Sequence, residues 1–165
     1  MSDFFDNPQN YQSIFQPYTE VSDLMINGIY WDNRAPQFFS AEDMCQPNFH
    51  IKVIADITCD IAPQSSIPST LFASTIAEPV FGYNPISGQA ETPYQDATID
   101  VMSIDNLPNE LPRDASKAFG EQFIVNVLGE LLGLSNTGMI ERATIAEGGH
   151  LGKNYQYLQN YAEAF

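Results

Sequence analysis

Three apolar, β-branched runs set the pattern of this chain, and each ends abruptly in a polar or turn-forming stretch. Val21 to Ile26 leads into Asn27-Gly28-Ile29-Tyr30-Trp31-Asp32, and His50 to Ile57, interrupted by Lys52 and Asp56, leads into Thr58-Cys59-Asp60. Thr98 to Ile104 leads into Asp105-Asn106-Leu107-Pro108. Such short runs read as strands of a parallel sheet, the second of them covered on both faces. Ligands of open α/β sheets bind beyond the carboxyl ends of the strands, so the three polar tips predict one shared site. Between the second and third runs, Pro79 to Tyr83 fits either a strand or a long loop. Asn84-Pro85-Ile86-Ser87-Gly88 reads as a turn, and Gln89 to Asp96 as a surface excursion.

Helical periodicity takes over after Pro112. Phe119, Phe123, Ile124, Val127, Leu128, Leu131 and Leu132 recur at helical spacing, predicting a helix to about Leu132 with Gly133 as its C-cap. At 1.5 Å per residue such a helix is about 30 Å long, enough to cross a sheet face. A shorter helix is expected over Met139 to Glu147, stopped by Gly148-Gly149. The last segment aligns Tyr155, Leu158, Tyr161, Ala162 and Phe165 on one side, a stripe that needs either this domain's core or a neighbour to pack on. Ser40 is placed to cap a short helix through Met44, with Glu42 and Asp43 in its first turn. Residues 1–20, punctuated by Pro8 and Pro17, read as a connecting segment.

The chain has 165 residues, one domain's length, and 44% of them are hydrophobic. No apolar run approaches the ~18–20 residues that span a bilayer, and the first residues do not read as an export leader, so a cytoplasmic protein without a membrane partner is expected. The formal net charge is −15, with six Lys and Arg scattered from Arg34 to Lys153. That balance repels phosphate backbones and excludes nucleic acid as a partner. Cys45 and Cys59 lack metal-ligand or Cys-x-x-Cys spacing and are expected to be reduced and partly buried.

Among the acids, Asp60 stands at a strand end, where it serves either as a turn former or as a functional carboxylate. Asp105-Asn106 poses the same choice, whereas Asp56, inside its strand, reads as a structural acid meeting a backbone amide. His50 belongs at the opposite sheet end and reads as a solvated or capping residue. His150 follows two glycines without a catalytic pattern, and Lys52, Lys117 and Lys153 show no sign of a buried amine. Trp31, the only tryptophan, either stacks on a ligand in the pocket loop or packs internally.

The run Val53 to Asp60, Ser66-Ile67-Pro68, Ala73-Ser74-Thr75 and above all Ser103-Ile104-Asp105-Asn106-Leu107-Pro108 through Leu111-Pro112-Arg113-Asp114-Ala115-Ser116 carry a resemblance. They resemble the C-terminal half of lysine-forming saccharopine dehydrogenase and lysine-ketoglutarate reductase, and Asn27 to Asp32 resembles a loop of the reductase branch. More distantly the layout is similar to alanine dehydrogenase and the transhydrogenase dinucleotide domain. The resemblance covers roughly Asn7 to Tyr161. It implies an α/β, partial Rossmann-like fold: residues 21–134 as the second half of an NAD(P)-binding domain, and 135–165 as helices returning toward a substrate domain.

It also implies a nicotinamide dinucleotide, NAD or NADP, with Asn27, Gly28, Ile29, Tyr30, Trp31, Asp105, Asn106, Leu107 and Pro108 lining the cofactor pocket and Asp60 as a catalytic or cofactor-orienting acid. The implied reaction is hydride transfer at the CH–NH bond of an amino acid of the saccharopine type. The sequence departs from the pattern in having no Gly-x-Gly-x-x-Gly turn, whose amides hold a pyrophosphate, and no preceding catalytic half. Alone these residues are therefore expected to be inactive and to need an N-terminal half or partner subunit. Alternatives are a non-catalytic dinucleotide-binding or interaction module, and an alanine dehydrogenase or transhydrogenase relative. Half a doubly wound sheet leaves an open edge, through which self-association is also expected.

Overall fold

The structure, a computed structural model, describes residues 2–164. The chain folds as two compact units, one ending at Glu110 and one beginning at Leu111. The first is built on a five-stranded sheet of order β1-β2-β5-β3-β4. Its strands are β1 (Leu24–Asn27), β2 (Val53–Asp56), β3 (Val80–Asn84), β4 (Gln89–Glu91) and β5 (Ile99–Met102). The three predicted runs form β1, β2 and β5, adjacent and parallel, with Met25 opposite Ile54 and Ile54 opposite Val101. Their carboxyl ends therefore share one edge of an α/β, partial Rossmann-like sheet. The segment left open by the sequence resolves into β3, antiparallel to β5, and part of the expected excursion is β4. The turn between them is held by the Asn84 side chain, which accepts the Ile86 amide at 2.9 Å.

Within the first unit only one face of this sheet is covered, where the sequence predicts two for β2. Met25, Ile54, Ile99 and Val101 point into a core completed by Phe39, Met44, Phe49, Ile51 and Ile67. Leu24, Ile26 and Val53, on the other face, are 53%, 69% and 39% exposed. An unbroken apolar run looks the same whether one face is buried or two, because the alternation shows only in accessibility. Ser40 opens the helix Ala41–Met44 through a reciprocal box with Asp43 and thereby delivers Met44 to the core.

In the second unit, α-helix Pro112–Phe123 runs through a π-helical turn, Ile124–Leu128, into α-helix Gly129–Leu131. Gly133, at φ +71°, closes it: the Leu134 amide donates to Gly129 O and the Gly133 amide to Glu130 O. None of the residues from Leu111 to Ala164 is buried, so the second unit by itself does not cover the predicted apolar stripe, and Phe119 is 73% exposed. The next helix spans Met139–Ala143 and stops short of Glu147. Gly148-Gly149 is instead the turn of a two-stranded ribbon, β6 (Ala146–Glu147) with β7 (His150–Leu151). Both glycines have positive φ, the signature of a type I′ hairpin, and that turn outweighs the helical spacing. Tyr155, Leu158, Tyr161 and Ala162 lie in the short helices Lys153–Leu158 and Gln159–Ala162, and Phe165 falls outside the described residues. Among the described residues no helix is long and apolar enough to cross a membrane.

One-sided burial makes a quantitative prediction. Ile54→Ala, at a fully buried position, is expected to cost about 2–5 kcal/mol in urea unfolding, whereas Ile26→Ala on the open face costs under ~1 kcal/mol.

Candidate functional site

The site grows from one buried carboxylate at the end of β2. Asp56 is completely inaccessible and is held by hydrogen bonds from neutral donors. Asn27, at the end of β1, donates its side-chain amide to Asp56 Oδ1 at 3.0 Å and to Ser66 Oγ at 2.8 Å. Thr58 donates its amide (3.2 Å) and its hydroxyl (2.7 Å) to the same Oδ1, and Thr70 Oγ1 donates to Oδ2 at 2.5 Å. Burying a charge without such donors is prohibitive, so the acid and its donors require one another. The backbone amide expected for Asp56 is that of Thr58. A second tie joins the strand ends directly, since the Ile57 amide donates to Asn27 O at 2.8 Å.

Two tips fixed in this way enclose a cleft. Gly28, Ile29, Tyr30 and Trp31 line one side and Ile57, Thr58 and Asp60 the other, around a volume of about 360 Å³. A second hollow of about 350 Å³ shares Tyr30, Trp31 and Asp60 and adds Asp32, Asn33 and Gln64. The Trp31 ring rests against Phe38, centroids 6.0 Å apart. Asp32 is bound by Arg34 at 2.6 Å, and that guanidinium holds its carboxyl down to about 2. Asp60 is half-buried. Burial first, then the Asp56 charge, pushes its carboxyl above the ordinary carboxylate range, against a smaller opposing effect of Thr58. No Lys or Arg lines either hollow.

The third tip meets the second through Cys59, whose thiol donates to Ser103 O at 3.1 Å. Burial raises the Cys59 thiol above its ordinary value, and the carboxylates of Asp105, Asp56 and Asp60 add to the effect. Cys45, expected to be partly buried, is exposed, because it follows the last turn of its short helix.

Of the ten candidate residues, Gly28, Ile29, Tyr30, Trp31 and Asp60 thus face one cleft. The Asn27 side chain is turned away into the Asp56 cluster. Asp105 and Asn106 are exposed, and Leu107 and Pro108 open a 3₁₀ turn, Leu107–Glu110, outside the lining of both hollows. Thr58 also lines the cleft, and Gln64 lines the second hollow beside it. Thr58 could have been found from its Asp-x-Thr spacing, which permits a local side-chain turn, whereas Thr70 gives no sequence signal for its contact with Asp56. Among the described residues no cluster of His, Cys, Asp and Glu is arranged to hold a metal ion.

Comparison with known proteins finds homologues for most of the chain. An α-aminoadipic semialdehyde synthase of Arabidopsis thaliana is 29% identical over 95% of the chain and 15% of its own length. The NAD(+), L-lysine-forming saccharopine dehydrogenase of Schizosaccharomyces pombe is 34% identical over 68% of the chain and 29% of its own length. Over most of its length the chain is homologous to these two groups of enzymes. The mitochondrial α-aminoadipic semialdehyde synthase of Bos taurus matches 94% of the chain at 28% identity. The chain spans only 15% to 29% of the length of these relatives. No family model matches it.

Two outcomes test the site's energetics. Asp56→Ala strands the Asn27, Thr58 and Thr70 donors and is expected to lower unfolding free energy by about 3–5 kcal/mol. Asp60→Asn is expected to do the opposite. A carboxyl raised above its unfolded value contributes stability only below that value and loses it as the pH rises through its folded value. The substitution should therefore raise the urea midpoint at pH 7, with the gain vanishing toward pH 3.

Proposed function

We propose that these residues form the nicotinamide-facing half of an NAD(P)-binding domain in an oxidoreductase that acts on the CH–NH bond of an amino acid of the saccharopine type. The observation that carries this reading is the cleft itself: an aromatic wall, Trp31, opposite an acid, Asp60, with no cation lining it. A pyrophosphate would find no partner there. A ribose diol or a positively charged nicotinamide ring finds an acceptor and a flat apolar surface. The saccharopine dehydrogenases among the homologues are NAD(+)-dependent, lysine-forming dehydrogenases by name, which supports an amino-acid oxidoreductase.

The bound dinucleotide would supply the hydride chemistry. The chain's own part is to position: Gly28 lets the backbone approach, Trp31 bounds the ring, and Asp60 holds the ribose hydroxyls. Asp105 to Pro108 would complete the pocket beside Cys59. These 165 residues hold no glycine-rich phosphate turn, so turnover would require a segment that supplies one together with acid–base groups for the amine. The open apolar stripe through Phe119 and Ile124 favours a second reading, an interaction module without dinucleotide affinity.

Titration with NADH, exciting Trp31, separates the two. Saturable quenching is expected, reversed by NAD, with the dissociation constant raised about tenfold in Asp60→Asn. A folded, dimeric chain that shows no quenching would establish the module instead.

A further inference from the structure

The cleft carries one acid that the reading above uses, Asp60, and one deeply buried acid that it does not, Asp56. Thr58 stands between them. Its hydroxyl donates to Asp56 Oδ1 at 2.7 Å and accepts the Asp60 amide at 3.3 Å, so one oxygen serves as donor on one side and acceptor on the other. The residue enclosed by this bridge, Cys59, has φ +53°, a left-handed conformation that a side-chain-bearing residue keeps only when its surroundings impose it. The bridge is also the point where the two walls of the cleft are locked together. The oxygen that receives Thr58 receives the Asn27 side chain as well, and Asn27 begins the wall that ends in Trp31.

We propose that Thr58 is a positioning residue: by coupling the buried Asn27–Asp56 pair to the Asp60 backbone it fixes the left-handed turn at Cys59 and aims the Asp60 carboxylate into the cleft. The role rests on the nicotinamide-facing reading for its purpose but not for its geometry. Thr58 itself is half-buried, so its hydroxyl can be removed without emptying the core. A valine there keeps the shape and loses both hydrogen bonds, while a serine keeps the hydroxyl and loses only a methyl group.

The test uses Thr58→Val and Thr58→Ser in a Cys45→Ser background, where Cys59 is the one remaining thiol. Alkylation of Cys59 by iodoacetamide reports the turn without any cofactor. It is expected to accelerate about tenfold in Thr58→Val and to stay at the parent rate in Thr58→Ser. NADH affinity, read by Trp31 quenching, is expected to fall about tenfold in the valine variant and to recover in the serine one. An unchanged alkylation rate in Thr58→Val overturns the proposal, and so does an accelerated rate with undiminished NADH affinity. Loss of folding in Thr58→Val also overturns it, since Thr58 would then be a core residue. If the parent chain binds no NADH, the dinucleotide reading fails, and the alkylation rates alone still decide whether Thr58 holds the turn.

Discussion

A buried carboxylate with no cation beside it is the constraint on which the site depends. Asp56 has no access to solvent, and its partners are neutral donors drawn from three separate places in the sequence. Each donor is a point at which a loop is tied down: Asn27 at the end of β1, Thr58 just beyond β2, and Thr70 after the serine-rich segment that also brings Ser66 to Asn27. An apolar residue at this position would pack as well but would leave the loops free. The charge makes loss of any one contact expensive, and so turns a strand end into a rigid rim.

That rim leaves Asp60, and not Asp56, as the acid available to the proposed site. Asp60 is four residues further along, half-buried, and carries a carboxylate that its surroundings disfavour in the charged form. A group kept at some cost in stability is a candidate for function, which is the part proposed for Asp60. The two acids divide the labour: the inner one is saturated with donors, and the outer one is left with capacity to accept from a ligand.

Much of this was legible in the sequence, and the gaps have physical causes. The three apolar runs, their parallel pairing and the polar tips follow from period, β-branching and abrupt polar ends, and the resemblance to saccharopine dehydrogenases agrees with the homologues found. The open face of the sheet was hidden because Val53 and Ile54 look alike in sequence and differ only in what lies above them. The hairpin at Gly148-Gly149 was masked by a helical spacing of apolar residues that the two-residue turn overrides. The Asp56 cluster was half visible: an acid within a strand announces a partner, but Thr70 and Ser66 reach it across loops that no local pattern connects. In the second unit the helix and its Gly133 cap follow their sequence signals closely, while the apolar stripe finds no burial within that unit.

The proposed function depends most directly on the cleft receiving the nicotinamide end of a dinucleotide. Amide chemical shifts of the labelled chain should be followed during separate additions of nicotinamide riboside and of adenosine. The riboside is predicted to move Gly28 to Trp31 and Thr58 to Asp60 and leave the second unit still, while adenosine moves neither wall. Equal shifts from adenosine, or a riboside response confined to other residues, would contradict it.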